Sequence, residues 1–343
     1  MNFKSDNEAP AHPRLIEAIV AANSGFATAY SDDHWSGQLD AVFSEHFETA
    51  CQVVPLATGT AANSIALASI VPEWGAILCH RQAHIENDEG GAPEFYTHGA
   101  KLLTLDGDNG KLCPQRLADA IDSSGSHGVH NVKPALVSIT QATECGTSYR
   151  PDEIGAIAEA AHARGLAVHM DGARFANAVS FLGVSPAKAS WQSGVDVLSW
   201  GATKNGALTA EALVIFGHPE WLEGMHRRRK RGGHLLSKMR YVSAQLLAML
   251  ADDLWLELAA NANRQAARLA QAIERHPEAR LEWPVEANEV FMRLAPERLA
   301  ELRQQGFEFH IWPGHEDLAR LVCSFATSDQ DTGQLIDALQ RPT

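Results

Sequence analysis

Short apolar runs recur along the chain, each only four to six residues long and most of them followed by a stretch with helical apolar spacing. Val53-Val54-Pro55-Leu56, Ala76-Ile77-Leu78-Cys79, Ala135-Leu136-Val137-Ser138-Ile139-Thr140, Leu166-Ala167-Val168-His169-Met170, Val195-Asp196-Val197-Leu198 and Leu213-Val214-Ile215-Phe216 are too short for core helices and carry the β-branched residues of strands. A strand that is apolar along its length has to be buried on both faces, and helices between such strands are the elements that cover them. The pattern therefore predicts an α/β fold built on a large, mostly parallel sheet with helices on both faces. Such sheets hold ligands at the carboxyl ends of their strands.

The intervening helices are read from apolar spacing and from their end signals. Residues 13–22 have helical spacing behind Pro13, residues 65–70 follow the turn Thr58-Gly59-Thr60-Ala61, and residues 151–164 run from Pro151 to a stop at Gly165. Beyond about residue 250 the pattern changes to a long helix over 259–273, a strand at 290–294, a helix over 296–304, a strand at 321–324 and a last helix near 332–339. That mixture predicts a small α+β domain, which divides the chain into an N-terminal segment with a large domain over 1–250 and a small C-terminal domain over 251–343.

Charge and cysteine usage exclude several classes of function. With 28 Lys+Arg against 42 Asp+Glu the chain is acidic, which disfavours a nucleic-acid surface. The basic cluster Arg227-Arg228-Arg229-Lys230-Arg231 is the exception, as a solvated turn or helix face or as an anion contact. No apolar run approaches the roughly 18 residues of a membrane span, and the polar start does not resemble a signal peptide, so a cytoplasmic protein is expected. The five cysteines are scattered and odd in number, which fits neither a disulfide framework nor a zinc ribbon.

The chemistry concentrates at strand ends. Lys204 lies in Gly201-Ala202-Thr203-Lys204-Asn205-Gly206 after the run ending at Ser199, and Asp171 closes the run Leu166 to Met170. Such a lysine and aspartate are the pair that pyridoxal 5'-phosphate needs, an amine to bind its aldehyde and an anion to keep its ring nitrogen protonated. Taken singly, the aspartate fits a helix cap equally well and the lysine an ordinary surface position. Gly172 and Ala173 leave room for a flat ring, and Arg174 is close enough to meet an oxyanion. In Thr58-Gly59-Thr60-Ala61, Gly59 lets the backbone approach a phosphate at a helix N-terminus, although such a turn is also a common structural one. His80 and His84 are four apart, but no further ligand spacing supports a metal; one suits stacking on a flat ring and the other a satisfied core position.

Together these residues resemble the threonine aldolase family. The resemblance rests on Ser5-Asp6-Asn7, Tyr30-Ser31-Asp32-Asp33, Thr58-Gly59-Thr60-Ala61-Ala62-Asn63, Ala83-His84, Glu89-Gly90-Gly91, Thr143-Glu144-Cys145-Gly146, His169-Met170-Asp171-Gly172-Ala173-Arg174 and Thr203-Lys204-Asn205-Gly206. It spans almost the whole chain in the family's order. Gln141-Ala142-Thr143-Glu144 and Ser237-Lys238-Met239-Arg240 bring it nearest to the branch of low-specificity L-threonine aldolases and phenylserine aldolases.

The resemblance implies an aspartate-aminotransferase-like fold (pyridoxal phosphate fold type I), in a homodimer or homotetramer with active sites across the subunit interface. It implies cleavage of L-threonine, L-allo-threonine or phenylserine to glycine and an aldehyde; another fold type I lyase or an aminotransferase is the alternative, and a non-catalytic scaffold the bland one. By the same matching Lys204 is the Schiff-base lysine, Asp171 the partner of the ring nitrogen, and His84 the residue stacked on the ring. Gly59 and Thr60 hold the phosphate, Ser5, Arg174 and Arg320 bind the substrate carboxylate, and Tyr30 lies near the phosphate or the neighbouring site. Lys238 and Arg231 match positions that reach a phosphate from the other subunit. Glu144 stands where many members have a histidine and Ser31 where glycine is usual, so the group that handles the substrate hydroxyl is His84, Glu144 or a water. The loop bearing His34 and Trp35 is a candidate aromatic wall.

Overall fold

The computed structural model describes residues 1–341. Seven strands form the large sheet: β1 (Cys51–Leu56), β2 (Gly75–His80), β3 (Lys101–Leu105), β4 (Lys133–Thr140), β5 (Ala167–Gly172), β6 (Val197–Gly201) and β7 (Glu211–Phe216), in the order β1-β7-β6-β5-β4-β2-β3. Pairing is parallel from β6 through to β3, while β7 runs against both of its neighbours. β1 is antiparallel to the reversed strand, so six carboxyl ends share one edge.

Alternate residues of the strands feed two cores, as the two-residue period of a strand requires. Val54, Leu56, Val197, Leu213 and Ile215 pack on one face with Ala61, Ala62, Ile65 and Ala66 of the helix Gly59–Ile70. Val53, Leu198, Trp200, Ala212, Val214 and Phe216 pack on the other, with Phe43, Phe47, Phe175, Leu246 and Trp255. The alanines of the first helix let its backbone lie close to the sheet, which fixes where its N-terminus ends up. No helix among the described residues is long and apolar enough to cross a membrane.

A second, antiparallel sheet of β8 (Arg280–Leu281), β9 (Glu289–Arg293), β10 (His310–Ile311) and β11 (Leu318–Val322) is ordered β10-β11-β9-β8. The first residues of the chain attach here: Phe3 donates its N–H to Glu308 and accepts that of Val322, both at 2.8 Å. The helix Leu254–Glu274 ties the two sheets together, with Leu254, Trp255 and Leu258 in the large-sheet core around Trp200 and Ala266, Leu269 and Ile273 packed with Val290, Met292, Ala319 and Leu321 of the second sheet.

The β5 and β6 ends are packed through glycine. A Cβ on Gly201 would stand 2.8 Å from both the Cα and the carbonyl oxygen of Ala173, and backbone cannot swing aside. Gly201→Ala is expected to cost about 1–3 kcal/mol of stability, measured as a lowered urea midpoint; an unchanged midpoint would contradict this close crossing. Gly172 serves the same purpose, because its Cβ would meet Leu198 Cδ1 at 2.6 Å and the Ser199 carbonyl at 2.8 Å. The space expected beside Gly172 for a ring is thus filled by β6.

Candidate active site

At the shared carboxyl edge, between the two sheets, lies a cavity of about 670 Å³ whose walls include Ser5, His84, Glu144, Arg174, Lys204 and Arg320. Six of the residues singled out from sequence therefore meet in one place. They arrive from the N-terminal segment, from the loops after β2, β4, β5 and β6, and, for Arg320, from the middle of β11 in the second sheet.

Lys204 sits in a single 3-10 turn, Thr203–Asn205, directly after β6. Gly206 ends the turn with φ of 106°, a conformation that suits glycine, and Asn205 pins it by donating to the Trp255 carbonyl at 2.8 Å. The lysine is thereby held on a rigid turn at the cavity wall. Asp171, the penultimate residue of β5, is 3 % exposed. Its Oδ1 accepts from the Ala173 N–H at 3.0 Å and its Oδ2 from Asn63 Nδ2 at 2.9 Å. A carboxylate so buried, with neutral donors only, calls for a cation above it.

His84 begins a short helix after β2, and its Nδ1 meets Glu89 Oε1 at 3.0 Å. That hydrogen bond raises the His84 pKa above its ordinary value against the opposing effect of burial. His80 is the satisfied core histidine: Nδ1 accepts from the Gln82 N–H at 3.1 Å and Nε2 lies 3.1 Å from the Gly107 carbonyl. Being the last residue of β2, it shares no helix face with His84.

Arg174 is held on three sides. Its Nε and one terminal nitrogen bind Asp6 at 2.8 and 3.1 Å, and the other terminal nitrogen lies 3.3 Å from Glu289. Glu289 also lies 3.8 Å from Arg320, whose guanidinium stacks over Trp312 at 5.6 Å. Against burial, the neighbouring Arg174 and Lys204 charges hold Asp6 below the usual carboxylate range. Glu144, half-buried at the wall, is pushed upward by burial and then by Glu289.

At the N-terminus of the helix Gly59–Ile70, Thr58 Oγ1 caps the Ala61 N–H at 3.2 Å. The N–H groups of Gly59 and Thr60, in its first turn, have no place in the helix ladder and are available to an anion. A Cβ at Gly59 would meet nothing within 4 Å, so the approach is open. The donor set fits pyridoxal phosphate: an amine, a buried carboxylate lacking a cation, an imidazole and an open helix N-terminus on one sheet edge.

Four expectations fall elsewhere. Gly59 and Thr60 do not line the 670 Å³ cavity. Tyr30 is 49 % exposed, with Lys230 Nζ 4.4 Å from its ring centre, and Lys238 is exposed. Ser31 adopts φ of 74°, the left-handed region that the usual glycine would favour, and accepts from Arg229 at 2.8 Å. The His34–Trp35 loop lines a separate surface cleft, because buried Asp33 folds the loop on itself through Ser36 at 2.9 Å. The aromatic residue that does line the main cavity is Trp312.

Sequence reading missed Glu211 and Glu289. Glu211, first residue of β7, is pushed up to about 7 by burial, within electrostatic reach of Lys204. Each is a lone charge opening an otherwise apolar run, and that is the signal that could have found them.

The comparisons with known proteins agree with one another. The model of the β-eliminating lyases matches residues 2–296. A low specificity L-threonine aldolase of Pseudomonas aeruginosa is 43 % identical over 97 % of this chain and 95 % of its own length. One from another Pseudomonas strain is 41 % identical over the same shares. The structure of Leishmania major threonine aldolase superposes with a TM-score of 0.92 at 28 % identity, over 99 % of this chain and 98 % of that one. An aspartate aminotransferase from Rhodobacter sphaeroides shares the fold at a TM-score of 0.72 and 17 % identity, over 99 % and 91 %.

Proposed function

The chain belongs to the threonine aldolase family of β-eliminating lyases, and from that premise we propose that it is a pyridoxal phosphate-dependent carbon–carbon lyase cleaving L-3-hydroxy-α-amino acids to glycine and an aldehyde. The observation that carries the reading is the one cavity on which Lys204, His84, Arg174 and Arg320 converge, with the buried Asp171 at the same sheet edge.

Lys204 would hold the cofactor covalently, Asp171 its ring nitrogen, His84 one ring face, and the Gly59 and Thr60 N–H groups its phosphate. When bound, pyridoxal phosphate supplies an electron sink conjugated to the substrate nitrogen. The protein has to do the rest. Arg174 and Arg320, with the Ser5 hydroxyl, grip the substrate carboxylate, and that grip decides which bond at Cα stands in the orientation that breaks. A group near the hydroxyl takes its proton as the Cα–Cβ bond opens, and His84 and Glu144 both border the cavity for that purpose. A proton returned to Cα completes glycine.

We further propose that the enzyme is a cytoplasmic homodimer or homotetramer. Lys238 and Tyr30, both outside this chain's own cavity, together with the basic turn of the helix Leu222–Arg231, would then serve the neighbouring subunit.

Incubation with L-threonine, L-allo-threonine and phenylserine, with glycine quantified and the aldehyde identified, is the direct test. Glycine from at least one of them is expected. Ammonia together with a 2-oxo acid that keeps all the carbons of the substrate, or consumption of an added 2-oxo acid, would make the protein another fold type I lyase or an aminotransferase.

A further inference from the structure

Resting on the aldolase reading above, we propose that Glu89 is a positioning residue that fixes the His84 proton on Nδ1, prepares Nε2 to accept the substrate hydroxyl proton, and joins His84 through Asn63 to Asp171. Glu89 follows the short helix His84–Asn87, and Gly90 and Gly91, with φ of 60° and 74°, reverse the chain behind it. Its side chain is fully buried. Oε1 takes two contacts, His84 Nδ1 at 3.0 Å and Asn63 Nδ2 at 2.7 Å, while Oε2 has no partner. Asn63 Nδ2 also donates to Asp171 Oδ2 at 2.9 Å.

The chemistry of these contacts fixes the hydrogens. Both neighbours of the Asn63 amide nitrogen are carboxylate oxygens, so the NH₂ end faces them and each of its hydrogens has one acceptor. An ionised Glu89 likewise only accepts, so Nδ1 of His84 carries the hydrogen of their shared bond. A neutral imidazole then has its lone pair on Nε2. When that nitrogen takes a proton the ring becomes a cation beside Glu89, the arrangement by which a buried carboxylate supports a histidine base. The donor atoms of His84, Glu89 and Asp171 lie within 4.8 Å of one another, and Asn63 bridges the two acids in the middle. The charged groups bearing on His84 are Glu89, Asp171 and Glu144, which favour its cationic form, and Lys204, which opposes it. Glu144 also borders the cavity, but among the described residues no side chain fixes its orientation.

The test uses Glu89→Gln, which keeps the volume and removes the charge, in both holoenzyme and apoprotein. In the holoenzyme, kcat for hydroxy-amino-acid cleavage falls on the order of 10-fold, while KM stays within about 2-fold. The acidic limb of the kcat profile moves to lower pH, because the imidazolium has lost its favourable neighbour. In the apoprotein, the His84 ring followed by NMR titrates at lower pH, a readout independent of turnover. Glu89→Asp, which lengthens the contact, shifts both readouts part of the way. In a His84→Asn background, Glu89→Gln causes little further loss, since its effect passes through the ring. The proposal is overturned by an unmoved His84 titration in both Glu89 variants, or by losses that simply add in the double variant. Wild-type protein that releases no glycine while His84 still shifts in Glu89→Gln refutes the aldolase reading and leaves the His84–Glu89 pairing standing.

Discussion

Lys204→Ala is expected to lower glycine release by at least about 10⁴-fold, the scale seen when the nucleophile of a covalent mechanism is removed, and to leave the protein folded. The activity loss follows because no other amine on the described cavity wall sits on a turn fixed by Asn205 and Gly206. The fold survives because the side chain lies at the cavity wall and outside both cores. Two measurements separate these effects. Borohydride treatment followed by peptide mass analysis should add a phosphopyridoxyl mass to the Lys204 peptide of wild type and to no peptide of the variant. Urea unfolding of the two apoproteins gives midpoints that nearly coincide. Cleavage within about 10-fold of wild type would remove Lys204 from its proposed role, since a missing covalent nucleophile costs far more than that.

The sequence was most readable where a physical signal is local. Pro13 and Pro296 mark their helices because proline at the first helical position sacrifices no intrahelical hydrogen bond, and both helices have the expected bounds, Pro13–Ala22 and Pro296–Gln304. An apolar run understates a strand that has a polar residue at one end: β5 continues through Asp171 and Gly172, and β7 begins at Glu211. Chemistry is lost the same way, since Glu211 and Glu289 lie just outside the apolar runs that mark β7 and β9. The reversal of β7 was also overlooked, although the link from Gly201 to Glu211 is too short for the crossover that a parallel neighbour needs. The arginine network was beyond any local signal. Asp6 and Arg174 are 168 positions apart, and their contact exists only because the first residues of the chain are drawn into the second sheet.

That network carries the second large effect. Arg174→Ala is expected to destabilise the fold by about 3–5 kcal/mol, the cost of leaving a buried partner charge uncompensated. Asp6 is 2 % exposed and would keep only the Asn288 amide at 3.0 Å, and Glu289 is 1 % exposed with no hydrogen bond of its own. The pH dependence has a definite sign. In wild type the Asp6 carboxyl is held low, so its stabilisation is present above the unfolded value of about 3.9 and is lost as pH falls through the folded value. In the variant Asp6 loses the guanidinium and keeps only the Lys204 charge and the Asn288 amide against burial, so its carboxyl moves upward and its cost, greatest at high pH, fades as it takes up a proton. The stability gap between the two proteins should therefore be wide at pH 8 and narrower at pH 5, as read from urea midpoints. Activity should fall with it, because the cavity loses one of the two cations proposed to bind the substrate carboxylate, and KM for the amino acid should rise more than kcat falls. Arg174→Lys restores charge but not the forked contact to Asp6, so it recovers stability better than it recovers KM. An equal gap at both pH values would mean that Asp6 is not a charge Arg174 neutralises.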